Sequence, residues 1–316
     1  MTGAPLPPVT DTAVPRGQVA VVNARHILLA LVVAPHRHIR RRGSDLAAGA
    51  LLARAGTCID ATLAALMAAS GVADVALFAR PHVAIVSTGN ELSGDPAGTL
   101  APGQIRDANG PFWHLALAEA GAQVVAWSRI GDDPQRFTEL LDEQRGQADL
   151  VLTMGGISAS VRDYVSAVLE RAGAHFLFGQ VAIRPGKPIL AATLPGGPCL
   201  LGLPGNPVAA AVGLRFVAMP LLRYWQGPAA EAPLAAVVQE GTSLKAGLRH
   251  FLKARVEAPD DGPLRIRLLP GQESYRLATL HEANAWAVID PASPGVETGA
   301  WVAIHPREVN GRWCFA

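Results

Sequence analysis

Cysteine is nearly absent. Three stand in 316 residues, Cys58, Cys199 and Cys314, far apart and with no C-x-x-C pair. An odd, scattered set excludes a disulfide framework and a structural zinc site, and it fits a reducing compartment, so a cytoplasmic protein is expected. An excess of either charge is also lacking: 27 Lys and Arg face 26 Asp and Glu, for a formal net charge of +1. Bulk charge therefore gives no reason to expect a nucleic acid or a membrane surface as partner. The one basic run, His36-Arg37-His38-Ile39-Arg40-Arg41-Arg42, is short enough to read as a solvated strand or loop. The apolar run Ile27 to Ala34 covers about eight residues, where a membrane span needs roughly twenty, so it reads as a buried strand. The opening residues lack the basic and apolar regions of a signal peptide. No internal repeat, no phosphate loop of the Walker type and no G-x-G-x-x-G fingerprint occurs, which weakens a plain nucleotide-binding Rossmann reading.

What the chain does have is apolar residues, half of the total, enough for one large core or several smaller ones. Residues 1–45 are Pro-rich and then Val-rich, and Val19 to Val22 and Ile27 to Val33 read as short strands. Asp60 is placed to cap a helix through Leu63, Leu66 and Met67, with Gly71 at its end. From His82 a rhythm of strand, loop and helix sets in. Strands are expected at Val83–Val86, Val124–Trp127 and Leu150–Thr153, in a region ending at Ala182-Ile183, at Pro188–Leu194 and at Cys199–Leu203. Helices are expected near Pro111–Ala120, from Asp133-Pro134 onward, at Val161–Ala172 and at Pro207–Trp225. The strands are apolar on both faces, as in a parallel or mixed sheet with helices on both faces, an α/β fold. After the linker-like residues 228–233 the pattern changes to period two, as in Phe251–Val256 and Leu264–Leu268, which points to a small C-terminal β-barrel or sandwich.

In an open α/β sheet, ligands bind beyond the C-terminal strand ends. Four Gly-rich polar segments fall there: Ser87-Thr88-Gly89-Asn90-Glu91, Gly155-Gly156-Ile157-Ser158, Arg184-Pro185-Gly186-Lys187-Pro188 and Gly202-Leu203-Pro204-Gly205-Asn206-Pro207. Any one of them could be an ordinary turn. Together they favour a phosphate-bearing ligand, met by backbone N–H groups and helix N-termini. Glu91, Asp107, Asp132 and Asp163 are carboxylates near the same edge, and Arg184 and Lys187 are cations beside a Pro-Gly turn. Carboxylates next to phosphate imply a divalent metal, most often Mg²⁺, and the cations would neutralise phosphate or a tetrahedral oxyanion. Simpler roles stand beside these. Asp132 could merely cap the helix that follows, and Asp163 could merely complement a helix dipole.

Several segments, in order and spacing, resemble the molybdopterin molybdenumtransferases, bacterial relatives of the gephyrin E domain. They are Arg80-Pro81 through Ser87-Thr88-Gly89-Asn90-Glu91-Leu92, Gln104-Ile105-Arg106-Asp107-Ala108-Asn109, Gly155-Gly156-Ile157-Ser158, Ala182-Ile183-Arg184-Pro185-Gly186-Lys187-Pro188 and Gly202 to Val208. Arg42-Gly43-Ser44-Asp45, Gly49 to Gly56, Ala283-Asn284 and Gly299 to Val302 extend the likeness over nearly the whole chain. The resemblance implies an enzyme of molybdenum cofactor biosynthesis. It would take adenylylated molybdopterin and molybdate, with Mg²⁺, cleave the adenylyl link and release AMP.

Carried over by resemblance, Glu91, Asp132, Asp163, Arg184 and Lys187 are the catalytic candidates, with Glu91 and Asp163 holding Mg²⁺. Thr2, Thr88, Gly89, Asn90, Asp107, Asn109, Gly155, Gly156, Ser158, Pro204, Gly205, Asn206 and Pro207 are the candidates for binding the pterin or its nucleotide. The sequence also departs from the family. Arg184 stands where a Lys is usual, Gln180 where a second base is frequent, and Ser160-Val161-Arg162 precede Asp163. The Arg162-Asp163 pair is closer to the adenylyltransferase of the preceding step. Thr2-Gly3-Ala4-Pro5-Leu6-Pro7-Pro8 resembles a motif inside the family's second domain. An N-terminally truncated member is therefore expected, without the Asp-Gly motif that supplies an active-site aspartate. The implied organisation is a remnant of a β-rich domain (1–45), a remnant of an elongated dimer-contact domain (46–80), an α/β molybdopterin-binding domain (81–227) and a β domain (228–316). A homodimer and contact with the adenylyltransferase are implied partners. A molybdopterin-binding module without turnover, and the adenylyltransferase activity itself, are the alternatives.

Overall fold

The computed structural model describes residues 3–30, 32–95, 97–155 and 164–308. It divides into two compact units, Met1–Arg54 with Ile59–Ala73, and Ala55–Cys58 with Asp74–Ala316. In the first unit, β1 (Val19–Asn23) pairs antiparallel with β2 (His26–Leu29), Val19 facing Leu29. The Asn23 side chain accepts a hydrogen bond from the Arg25 amide at 2.9 Å and so shapes the tight turn between them. The second strand stops at Leu29, short of the expected Val33. Asp60 caps α1 (Ala61–Ala69), accepting from the Leu63 amide at 2.7 Å. No described residue of this unit is buried, and Val21, Val22, Ile27 and Leu28 are largely exposed.

The second unit carries the α/β layer and the barrel. Its elements run β3 (His82–Thr88), β4 (Leu92–Ser93), β5 (Ile105–Arg106), α2 (Asn109–Glu119), β6 (Gln123–Ile130), α3 (Pro134–Glu143), β7 (Leu150–Met154), α4 (Tyr164–Arg171), β8 (His175–Phe178), β9 (Ile183–Arg184), β10 (Leu190–Thr193) and β11 (Cys199–Leu203). A continuous helical run follows: α5 (Pro207–Gly213), a π-turn at Leu214–Ala218 and α6 (Met219–Gln226). Then come β12 (Leu234–Val238), β13 (Thr242–Ser243), β14 (Arg249–Glu257), β15 (Arg265–Leu268), α7 (Leu277–Glu282), β16 (Ala285–Ile289), β17 (Gly295–Val296) and β18 (Trp301–Pro306).

Among the described residues the central sheet has the order β6-β3-β7-β11-β10-β8. The first four strands are parallel, and β10 runs against both its neighbours. Alternate residues feed two cores, which is why the strands read as unbroken apolar runs. Val83, Ile85, Leu150, Leu152 and Leu203 pack against Trp113 and Leu117 of α2 and against Leu214, Met219 and Leu222. Ala84, Val86, Val151 and Leu200 pack against Phe137 and Leu141 of α3 and Val165 and Leu169 of α4. The helix Pro207–Gln226 is long and apolar enough to cross a membrane by composition, but 61% of its apolar window is buried in this unit.

Strands β15, β12, β18, β16 and β14 close on themselves through the β14–β15 pairing into a five-stranded barrel. Ala236, Val256, Ile266, Ala287 and Ile304 fill it. The expected strand region ending at Ala182-Ile183 is split. β8 stays in the central sheet, while β9 leaves it and pairs in parallel with β14, Ile183 beside Arg249 and Arg184 beside His250. The barrel is thereby hydrogen-bonded to a segment of the expected site. A second joint is apolar: Val208 and Val212 of α5 meet Phe251, Leu280 and Trp286.

Candidate active site at the strand edge

Because β3, β6, β7 and β11 are parallel, their C-terminal ends share one edge. The turn at 184–188 reaches the same edge from the other direction, since it leads into antiparallel β10, where Leu190 faces Gly202. Three of the expected segments, and Gly155 of the fourth, therefore meet there. Gly156 and Ser158 of the second segment, and likewise Asp163 and Thr2, lie outside the described residues.

One correction concerns the backbone. The amides of Gly89, Gly155 and Val208 are not available to an anion. They donate to Ile130, Leu203 and Ser274 carbonyls at 3.1, 3.2 and 2.9 Å. At Gly89 and Gly155 the ladder between neighbouring parallel strands runs one residue past the strand end, and at Val208 a barrel loop takes the first helical N–H. Side chains must carry more of the binding than the glycine pattern suggests.

The side chains form two groups. The first sits at the ends of β3 and β6. Asn90 and Asp132 bond reciprocally: the Asn90 amide nitrogen donates to Asp132 Oδ2 at 3.2 Å, and the Asp132 backbone N–H donates to Asn90 Oδ1 at 3.1 Å. Asp132 is not the helix cap. Asp133 fills that role, its Oδ1 accepting from the amides of Gln135 and Arg136. Thr88 donates to the Met154 carbonyl at 2.8 Å, which ties β3 to β7. Glu91 is exposed, its carboxylate folded over Gly89. Asp107 is 2% exposed at its side chain and is already engaged: it accepts from Ser87 Oγ at 2.8 Å and from the Gly110 amide at 2.9 Å, with Arg129 at 3.6 Å. It organises the start of α2 rather than facing a ligand.

Sequence reasoning missed Tyr164. Its hydroxyl donates to the Gly131 carbonyl at 3.4 Å and also meets the Thr88 hydroxyl, so one side chain links the Thr88 strand end to the Asp132 turn. Burial pushes its phenol up to about 12, with the nearby charges of Asp132 and Asp133 adding to the effect against the Thr88 hydrogen bond. It thus stays protonated as a donor. A Tyr directly after an acidic residue at a helix start carries no signal by itself.

The second group lines a cavity of ≈ 1280 Å³ between the strand edge and the barrel. Arg184, Lys187, Pro204 and Asn206 from the expected set lie on its wall, whereas Glu91, Asp107 and Asp132 do not. Asn109 and Pro207 line a different, more apolar cavity of ≈ 640 Å³. Asn109 is 7% exposed and donates from its side chain to the Gly205 carbonyl at 2.8 Å, so it braces the 202–207 turn from behind. The far wall of the larger cavity is the loop 270–275, held by Lys253. That lysine is fully buried and donates from Nζ to the carbonyls of Gly271, Glu273 and Arg276 at 2.7, 3.2 and 3.3 Å. Burial pulls its pKa down while Glu273 nearby opposes this. Among the described residues no group of three or more His, Cys, Asp or Glu gathers to form a metal cage.

An α/β layer with a polar strand edge, joined to a small barrel, defines a class that comparison with known proteins makes specific. Residues 84–224 match the family described as a probable molybdopterin binding domain. Residues 1–71 match the MoeA N-terminal region (domain I and II), and 235–306 the MoeA C-terminal region (domain IV). The chain is 33% identical over 307 residues to the molybdopterin molybdenumtransferase of Synechococcus elongatus, covering 96% of this chain and 75% of that one. It is 30% identical over 314 residues to that of Haemophilus influenzae, covering 97% and 76%. Against molybdopterin molybdenumtransferase 2 of Mycobacterium tuberculosis it is 35% identical over 261 residues, which is 64% of that protein. The crystal structure of the MoeA protein of Pyrococcus horikoshii superposes with a TM-score of 0.77 at 25% identity, over 94% of this chain and 72% of that one. The chain belongs to the molybdopterin molybdenumtransferase family.

Proposed function

We propose that this chain inserts molybdate into adenylylated molybdopterin with release of AMP. The observation that carries the reading is the meeting of the polar segments 87–91, 184–188 and 202–207 at one strand edge, with Arg184 and Lys187 on the wall of a cavity large enough for a pterin nucleotide. The described part of that edge fits a weakly caged Mg²⁺. Glu91 has an exposed carboxylate without a hydrogen bond or ion pair among the described residues, and Mg²⁺ is commonly held by one or two carboxylates plus substrate phosphate oxygens. Glu91 and Asp163 would hold it, and it would supply Lewis-acid polarisation of the adenylyl phosphate. Arg184 and Lys187 would bind the oxyanion and the charge that develops on the departing AMP. Asp132, fixed by Asn90, would orient the water or hydroxyl partner at the phosphate. Thr2, Thr88, Gly89, Gly155, Gly156, Ser158, Pro204, Gly205 and Asn206 remain the candidates, carried over by resemblance, for binding the pterin. A cytoplasmic homodimer, handing substrate on from the adenylyltransferase, is the assembly this reading favours.

The test mixes purified chain, adenylylated molybdopterin, molybdate and Mg²⁺ and follows AMP. AMP release that requires molybdate supports the reading. Tight ligand binding with no AMP, beside an active relative, leaves a binding module instead.

A further inference from the structure

The smaller cavity, of ≈ 640 Å³, lies behind the 202–207 turn and away from Arg184 and Lys187. It is lined by Phe112, Leu115 and Ala116 of α2, Ala211 of α5, Leu277 of α7 and Trp286 of β16. Leu115 is 65% exposed and Leu277 43%, while Trp286 at the same wall is buried. A concave apolar surface left open to water is the kind that a partner covers. Glu119, on the same wall, has no salt bridge or side-chain hydrogen bond among the described residues.

The direction of the chain names the occupant. Arg307 and Glu308, the last described residues, stand at this cavity. Arg307 is fixed there: it donates from Nη1 to the carbonyl of His281, another wall residue, at 2.7 Å, and from its backbone N–H to the Asn284 carbonyl at 3.0 Å. Eight residues follow, Val309-Asn310-Gly311-Arg312-Trp313-Cys314-Phe315-Ala316. Two of the eight are aromatic in a chain that is only 5% aromatic, so the segment is apolar beyond what a solvated end requires. Alternate side chains of an extended segment share a face, so Trp313 and Phe315 would point the same way. Eight residues reach at most roughly 26–29 Å, enough to turn back into the cavity. Arg312 carries the charge opposite to that of Glu119.

We propose that residues 309–316 dock in this cavity of their own chain, with Trp313 and Phe315 against Leu115, Ala211 and Trp286 and with Arg312 at the rim beside Glu119. Trp and Phe each have about 150–250 Å² to bury. A tether this short keeps the segment at a local concentration on the order of millimolar, so weak apolar contacts suffice to seat it. Asn109 lies on the same wall and holds the Gly205 carbonyl, so the seated segment also backs the 202–207 turn.

Timed carboxypeptidase digestion of the full chain, read by intact mass beside a synthetic peptide of residues 309–316, tests it. The parent's C-terminus should be trimmed at least about tenfold more slowly than the peptide, because a seated segment must open before the protease can act. Leu115→Glu puts a charge on the apolar wall at an exposed position, and should bring trimming to within about threefold of the peptide rate. Leu115→Ser, which removes the apolar contact without adding charge, should shift the rate in the same direction. Leu115→Met should stay as resistant as the parent, and Leu177→Glu, exposed on β8 outside the cavity, should change nothing. Unaltered far-UV circular dichroism of the Leu115 variants separates a released segment from a lost fold. Resistance should survive about a hundredfold dilution, since docking within one chain does not depend on concentration. A parent trimmed as fast as the peptide overturns the proposal. Equal resistance of parent, Leu115→Glu and Leu115→Ser overturns it too, because the segment is then held elsewhere. Resistance that disappears on dilution assigns the segment to a second copy and also overturns it.

Discussion

Glu231 shows how single side chains fasten this architecture. Its side chain is 17% exposed, with Arg215 at 2.6 Å, Arg223 at 2.7 Å and His305 at 3.5 Å. Burial alone would raise its pKa, but His305 and the two guanidiniums outweigh that and bring it down to about 2. A carboxylate depressed in the folded state adds stability that is fully present above its ordinary value, 4.5, and is lost as pH falls toward 2. Urea midpoints measured across that range should therefore fall more steeply for the parent than for Glu231→Gln, the gap between them closing by roughly 2 kcal/mol after allowance for solvent screening. Parallel curves would show that the cluster contributes no pH-dependent stability. Tyr164 makes a different prediction. Tyr164→Phe keeps the edge-on packing against Phe137 but removes the hydroxyl that links Thr88 to the Gly131 carbonyl. Stability should drop by about 1 kcal/mol. AMP release should fall about tenfold, because Asp132 loses its fixed position relative to Thr88. Unchanged turnover in the variant would remove Tyr164 from the site.

At the level of elements, Gly155 ends β7 with φ +84°, and a Cβ there would stand 2.9 Å from the Thr88 backbone oxygen. That contact is with backbone and cannot be relieved by a rotamer change. Gly155→Ala should cost about 2 kcal/mol and break the Thr88–Met154 hydrogen bond, both visible by urea unfolding with hydrogen exchange at Thr88 and Gly155. Much of this layer was legible in the sequence. The strands, the Asp133 cap and the polar strand ends follow from local propensity and from runs apolar on both faces, as does the Asp60 cap in the first unit. What was not legible depends on pairing between distant residues. Nothing local tells Ile183-Arg184 to leave the central sheet for β14, some 65 residues on, because both partners are ordinary β-formers. Glycine patterning overstated the backbone as an anion binder for a related reason: whether the Gly89 and Gly155 amides are spent depends on the neighbouring strands, which the sequence does not order.

For the whole molecule, the two joints between α/β layer and barrel, the β9–β14 pairing and the apolar contact of Val208 and Val212 with Phe251 and Trp286, set the width of the cavity. The cavity wall therefore depends on both domains at once. Glu91 and Asp132 lie at the strand edge, and Arg184 and Lys187 on the wall of the adjoining cavity. The most direct measurement is AMP release from adenylylated molybdopterin by the purified chain with Mg²⁺, with and without molybdate, beside Glu91→Gln. The account predicts molybdate-dependent AMP release by the parent and about a hundredfold less from Glu91→Gln. No AMP from the parent while a family relative turns over in the same assay, or undiminished release from Glu91→Gln, would contradict it.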